Sequence, residues 1–588
     1  MRLIFWCLIC CVGFATIAVG PCAKIVRSQN ELAPRTSKVD ELDELIDNLF
    51  GANPENSPGV GVIVVRDNKV IAQRQYGMAN LEHSVPFNID HVVRLPYSEG
   101  REFIAIAAAF MEKDGLLKLD DLVRDHFPKL PDWSKSVTIH DLIHHRSGFI
   151  DEWSVLLLMH GSMANRFDRS QFLKLLYDQP SPEIEPGKGY MYSNSDYGLL
   201  RLILEKTAKQ KLSEYIKRRI FKPLQMNSSH LVDDFLKVVP NQAAAYAPDN
   251  EGYRHQLGKT SPGGDYVIAT TANDLARWAT AHSDPKSDVA TAIIRLKRNS
   301  ETIPGREGHY AFGHTDSKID GNRVIRHEGV LECCYLTRLP DVGLSIVTFG
   351  NRYYEPEKNP AIVNLLLDRK GESKLKPFPQ QLVSVPRKQL ARYSGTFLST
   401  NIPSWESQTM ARELIRINLT ENQLELLRPS WGNFPLVSLG NGKFSHHEES
   451  ESYPIGMLLS FNNPSHQRPL KLSIKYNDGY PDEEFIRPEK WTPSPELLER
   501  LAGKYYSAHL DYTWAMFVDS KGKLVLQAPT MASVEVEPFQ ENQFLLRLEK
   551  FPGMPFHVWL TFHQAKSGEI SHLTAWNPRL MRHRFERK

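Results

Sequence analysis

Helical and strand patterns are segregated along this chain, and that segregation limits its architecture more than any other feature. From Arg101 to about Trp278 the periodic segments carry apolar residues at helical spacing, as in FIAIAAAFMEKDG, YGLLRLILEKTAK and TTANDLARWATAH. Ahead of them, PGVGVIVVRDNKVIAQRQYG reads as a hairpin. Residues 60–65 are rich in β-branched valine and isoleucine, Asp67-Asn68 supplies the turn, and the second strand ends near Tyr76. After them, strand patterns return in NRVIRHEG, CCYLTRLP and GLSIVTFGN. VDELDELIDNLF, residues 39–50, adds an amphipathic helix before the hairpin. Strands gathered on either side of a helical middle predict an α+β fold.

The last third of the chain is different and repeats itself. After a proline-rich stretch at 375–388, LARYSGTF (390–397) matches LERLAGKY (498–505). The match pairs Leu390 with Leu498, Arg392 with Arg500 and Gly395 with Gly503. Each copy then runs through alternating strands, such as IRINLTENQLELL or WAMFVDSKGKLVLQA, and closes on an arginine-ended strand, FIRP or RHRF. Short strands and turns at that spacing predict two consecutive all-β domains, antiparallel barrels or sandwiches, at 390–490 and 491–588. A linker at 375–389 would join them to the preceding region, from which they are expected to fold independently.

With 588 residues the chain exceeds one domain, and a formal net charge of +2 with no basic run argues against a nucleic-acid partner. Arg2 precedes LIFWCLICCVGFATIAVG, an apolar stretch of secretory-signal type. Ala18-Val19-Gly20 suits a cleavage site, and an uncleaved membrane anchor is the competing reading of residues 1–23. Either way the protein is expected to be exported, periplasmic or extracellular, with 24–38 a linker. Four of the 6 cysteines, Cys7, Cys10, Cys11 and Cys22, belong to this leader. Cys333 and Cys334 are adjacent on a predicted strand, point to opposite faces and form no disulfide framework. They read as small buried hydrophobes.

Three short motifs carry the candidate chemistry. RLPYSEGREFIAIAAAFMEKDG places Ser98 at a helix start and Arg101 one turn later; Tyr192-Ser193-Asn194 follows EPGKG; His327-Glu328-Gly329 precedes a strand. Together they resemble the serine β-lactamase and penicillin-binding protein superfamily, in its class C, esterase and D-aminopeptidase branch. That family carries S-x-x-K, Y-x-N, and K-T-G or H-x-G. LIHHRSG (142–148), IFKPLQM (220–226) and residues 270–278 match further family landmarks. The resemblance covers roughly 39–370 and implies one antiparallel sheet with an inserted helical lobe, a domain at 39–374. The paired C-terminal units resemble those of some D-aminopeptidases.

The resemblance implies Ser98 as nucleophile, Tyr192 as base, Asn194 and His327 as substrate-positioning groups, and Gly329 in the cleft wall. A hydroxyl is a poor nucleophile until a base takes its proton, and S-x-x-K puts a lysine one helical turn from the serine. Here Arg101 stands in its place. A guanidinium cannot be deprotonated in a protein, so Arg101 is assigned an electrostatic role that leaves the Tyr192 phenolate as base. Counted forward from Arg94, the serine position falls on Tyr97, which marks a one-residue insertion. Alternative readings stay open: Ser98 as a helix N-cap, Tyr192 as a packed aromatic, Asn194 as a turn residue, His327 as a strand histidine. Two functions follow. One is an exported serine hydrolase forming an acyl-enzyme on an ester, amide or D-amino-acid peptide. The other is a degenerate member that binds cell-wall peptide. A third reading starts from His140-Asp141-Leu142-Ile143-His144, which resembles the zincin H-E-x-x-H with aspartate for glutamate and no third ligand. In the family this helix is structural, with His145 a common structural histidine. Neither leading reading implies a metal or cofactor.

Overall fold

The computed structural model describes residues 37–51, 54–95, 100–161, 167–234, 236–249, 252–256, 267–297, 309–319, 321–328, 334–352, 358–367, 383–400, 414–421, 423–428, 432–446, 457–462, 470–476, 482–489, 491–551, 554–577 and 579–588. Among them, strands from both ends of the first region form one seven-stranded antiparallel sheet. Its order is His309–Ala311, His314–Ile319, Asn322–Glu328, Cys334–Leu339, Leu344–Gly350, Val60–Arg66, Lys69–Tyr76. The seam pairs Ile63 with Val347 and Val64 with Ile346. Asp67 and Asn68 both hold positive φ (48° and 63°), as a tight two-residue hairpin turn requires.

Strand Val60–Arg66 is apolar at successive positions because both faces of the sheet are covered. Val62 and Val64 pack with Leu42 and Ile46 of helix Ser37–Phe50 and Ile362 of helix Asn359–Leu366. Ile63 and Val65 face the helical lobe. At the lobe's centre lies helix Gly100–Lys113, buried from Gly100 to Met111, with Phe103 stacked on Trp278 at 4.2 Å. Cys334 is buried, as expected of a small hydrophobe; Cys333 and the leader lie outside the described residues.

The repeat forms two closed antiparallel barrels, each with eight strands among the described residues. The residues that betrayed it in sequence have equivalent jobs. Gly395 (φ +139°) and Gly503 (φ +149°) adopt backbone that side chains disfavour, and a Cβ at Gly395 would lie 2.8 Å from Arg487 Cδ. Arg487 Nη1 donates to the carbonyls of Arg392 (2.8 Å) and Ser394 (2.7 Å). Arg587 Nη2 does the same to Ala502 (2.7 Å). Each closing strand thus clasps its opening strand through an arginine laid over a glycine. Residues 387–389, expected in the linker, instead begin helix Arg387–Leu390, the counterpart of Pro495–Leu501 ahead of the second barrel.

The expected independence of both barrels needs correction. The first barrel has its own core around Phe397, Ile415, Leu459 and Phe485. The second shares one continuous core with the helical lobe. Helix Glu152–His160 (EWSVLLLMH) is apolar on every side because the barrel covers what the lobe leaves open. The last carbonyls of a helix lack intrahelical partners, and here the barrel supplies them. Trp514 Nε1 donates to Leu158 O at 3.2 Å, Thr530 Oγ1 to Met159 O at 3.0 Å, and the Tyr512 hydroxyl also donates to Met159 O. His509 Nε2 lies 2.8 Å from Leu175 O.

Candidate active site

The second residue of helix Gly100–Lys113, Arg101, is only 1 % exposed. A guanidinium so deep needs hydrogen-bonding partners. Arg101 Nη1 donates to the Tyr192 hydroxyl and Nη2 to Asn194 Oδ1 at 2.6 Å. Its Cζ also lies 4.6 Å from the Tyr192 ring centroid and 5.3 Å from that of Tyr197. Arg101, Tyr192 and Asn194 therefore meet at one point.

The Y-x-N segment is held from below. Asn194 opens helix Asn194–Ala208, and both its backbone N (2.8 Å) and its Nδ2 (2.7 Å) donate to Asp151 Oδ1. Asp151 in turn caps helix Glu152–His160 by accepting from Ser154 N. His145, in left-handed backbone (φ 54°), accepts Met191 N–H on its carbonyl at 2.9 Å. Its ring lies 4.6 Å from the Tyr192 ring, and its Nδ1 lies 3.0 Å from Asp196 Oδ2. Burial, with Arg101 and Arg579 nearby, holds His145 well below the usual histidine range. Burial likewise pushes Asp196 well above the usual carboxylate range. The pair packs behind the Tyr192 ring.

Glu102, next to Arg101, does not neutralise it. Its carboxylate takes Arg338 Nη2 at 2.5 Å and Trp278 Nε1 at 2.8 Å, with His314 Nδ1 at 2.6 Å. Burial alone would raise this acid, yet Arg338, His282 and His314 hold it well below the ordinary range. Gly313 (φ +102°) lets that hairpin lie against the helix, since a Cβ there would fall 2.9 Å from Glu102 N.

Ser98 and Gly329 lie outside the described residues. His327 belongs to strand Asn322–Glu328, paired in register with Leu336, while its side chain is not among those described. In the His140 to His144 motif, Asp141 is spent on a capping box with Thr138, and His144 Nε2 bonds Leu296 O at 2.8 Å. The His140 and His144 ring centroids lie 4.3 Å apart with the planes tilted by 37°.

One residue escaped the sequence reading altogether. Arg579 lies on the second barrel, at the turn between strands Ile570–Asn577 and Leu580–Arg587. Its Cζ is 4.3 Å from the Tyr192 ring centroid. Asn577 Oδ1 accepts Arg579 N–H at 2.8 Å, Leu580 is fully buried, and Glu183 Oε2 accepts Met581 N–H at 2.5 Å. The barrel thus sets a guanidinium against the Tyr192 ring.

A model of the Beta-lactamase family matches residues 46–368. The D-aminopeptidase of Brucella anthropi is 26% identical over 305 residues, 51% of this chain and 57% of its own length. Penicillin-binding protein 4* of Bacillus subtilis (strain 168) is 24% identical over 404 residues, 64% of this chain and 88% of its own length. The chain spans little more than half the length of the D-aminopeptidases it matches. Among solved structures, the octameric penicillin-binding protein homologue from Pyrococcus abyssi superposes with a TM-score of 0.50 at 20% identity, over 76% of this chain and 100% of its own, a likeness of fold. On its first two-thirds, this chain belongs to the Beta-lactamase family.

Proposed function

We infer that the protein is an exported serine hydrolase that forms an acyl-enzyme on an ester, amide or D-amino-acid peptide, using Tyr192 as its base. The observation that carries this reading is the joint hold of Arg101 on the Tyr192 hydroxyl and on Asn194. It supplies a fixed positive charge where the family has its lysine, beside the group left to move the proton. In the proposed reaction Ser98 Oγ bonds to the acyl carbon while its proton passes to the Tyr192 oxygen. The leaving group departs with that proton, and water later releases the acid by the same route. Arg101 offsets charge on the base and takes no proton. Asn194, immobilised by Asp151, positions the substrate amide. His327 and Gly329 would line the opposite wall.

A second reading is favoured by the same arginine. With no lysine to share the proton traffic, the cleft would serve as a binding module for cell-wall peptide. Covalent labelling separates the two. A fluorophosphonate or fluorescent penicillin should label the purified chain and spare Ser98→Ala. Labelling that persists in Ser98→Ala rejects Ser98 as nucleophile, and no labelling of the wild type selects the binding module. Secretion of a reporter fused to residues 1–23 would test export.

A further inference from the structure

The two barrels share one frame, so a place where they differ in chemistry stands out. The register that pairs Leu390 with Leu498 and Gly395 with Gly503 also pairs Val383 with Trp491. Close by, each barrel repeats one backbone bond from a strand phenylalanine to a hairpin turn. Phe461 N donates to Gly442 O at 2.9 Å, and Phe562 N to Asn542 O at 3.3 Å. The side chains on that frame are not equivalent. The first barrel carries Val383 and the turn Asn441-Gly442, whereas the second carries Trp491 and the turn Glu541-Asn542.

Trp491 borders an open cavity of about 690 Å³, lined also by Glu541, Asn542, Phe562, His563 and Gln564. That volume falls within the range of small-ligand sites, roughly 300–1,000 Å³. The indole is half-buried and fixed in place. Its ring packs against Phe544, with centroids 5.6 Å apart and planes at 76°, and Phe544 meets Phe562 at 5.3 Å. The following helix, Pro495–Leu501, is capped by Ser494, whose Oγ accepts Leu497 N–H at 3.2 Å. The polar groups around the ring are not used by the fold. Among the described residues none bonds the Trp491 indole N–H, the Glu541 carboxylate or the carboxamides of Asn542 and Gln564.

A rigid indole ringed by hydrogen-bonding groups suits a sugar better than other ligands of this size. A pyranose has an apolar face of C–H groups that packs on the electron-rich face of an aromatic ring. Its rim of hydroxyls needs both donors and acceptors. Glu541 brings a negative charge to the lining, which disfavours anions, and the polar rim disfavours lipid.

We propose that this face of the second barrel is a saccharide-binding site, in which Trp491 stacks on a pyranose ring while Glu541, Asn542 and Gln564 bind its hydroxyls. The ligand class is a neutral β-1,4-linked oligosaccharide, because equatorial linkages leave successive ring faces flat and open to stacking. The site is separate from Tyr192 and does not depend on the chemistry there.

The test is calorimetry on the full chain with cellotetraose, tetra-N-acetylchitotetraose and, as the α-linked comparison, maltotetraose. At least one β-linked probe should bind tenfold or more tightly than maltotetraose. Trp491→Ala should weaken that binding about tenfold or more, and Trp491→Phe should keep part of it. Glu541→Gln, at an exposed turn, should weaken it several-fold with an unchanged urea midpoint. Those last two variants decide the matter if Trp491→Ala fails to fold. Ser98→Ala should bind as the wild type does, so loss of the hydrolase reading would leave this result standing. No binding of either β-linked probe at millimolar concentration, or no preference over maltotetraose, would overturn the proposal. Unchanged affinity in both Trp491→Phe and Glu541→Gln would do the same. Displacement of the saccharide by an equal concentration of a proline-rich peptide would also overturn it, by assigning the groove to a protein partner.

Discussion

Trp514 donates its indole N–H to the carbonyl of Leu158, tying a strand of the second barrel to the last turn of a helix in the hydrolase-like lobe. Leu158 is fully buried and Trp514 is too, so neither group has water as an alternative partner. The contact makes the barrel part of the lobe's core.

This docking predicts a measurable loss when only a hydroxyl is removed. The Tyr512 hydroxyl donates to Met159 O and lies 2.7 Å from Thr530 Oγ1. Tyr512→Phe should lower stability by about 0.5–1.5 kcal/mol, the usual net worth of one hydrogen bond, because Thr530 Oγ1 still donates to Met159 O. Urea unfolding should show the change as a shifted midpoint with an unaltered slope.

Limited proteolysis offers a second check. Cleavage is expected first within the proline-rich 375–388 stretch, as exposed linkers open more readily than packed strands. The two fragments should nevertheless elute together on gel filtration in native buffer and separate in urea. Separation in native buffer would mean that the shared core does not hold them.

At the site, Arg101→Lys restores a group able to release and accept a proton. If Ser98 Oγ is aligned with Tyr192, the rate of covalent labelling at neutral pH should rise about tenfold or more, within the range of general-base effects. Tyr192→Phe should cut labelling by about a hundredfold. An unchanged rate in Arg101→Lys would indicate that the insertion near Tyr97 misaligns the serine.

The Glu183 carboxyl gives the hairpin a pH dependence. Its folded value, about 8, lies above the ordinary 4.5. Between those values the native chain binds more protons than the unfolded one, so its contribution is full below about 4.5 and is lost as pH rises through about 8. Protection of the Met581 amide against hydrogen exchange, corrected for intrinsic rate, should therefore fall from pH 6 to pH 9. Glu183→Gln keeps an acceptor oxygen and should flatten the profile.

Much of this architecture was legible because its signals are local. The hairpin at Asp67-Asn68, the helical spacing after Arg101 and the glycine pair Gly395 and Gly503 each report their own neighbourhood. Arg101, Tyr192 and Asn194 could be brought together through motifs whose spacing reflects one helix turn and one helix start. Arg579 could not. Its role arises only when a barrel closes and docks, and nothing in NPRLMRHRF differs from an ordinary surface turn. A faint sign lay elsewhere, in EWSVLLLMH, a helix with no polar side to leave in water. The charge network at Glu102 was hidden for a similar reason, since His314 and Arg338 approach it from distant strands.

The order of synthesis gives the arginine on the barrel a temporal meaning. Tyr192, Asn194 and Arg101 leave the ribosome well before the strands that carry Arg579, and the barrel cannot close until Leu580–Arg587 pairs with Gly503–Ser507. Until that pairing forms, the second barrel cannot cover helix Glu152–His160 or bring Arg579 to Tyr192. The cluster around Tyr192 gains its last member only when the second barrel seats.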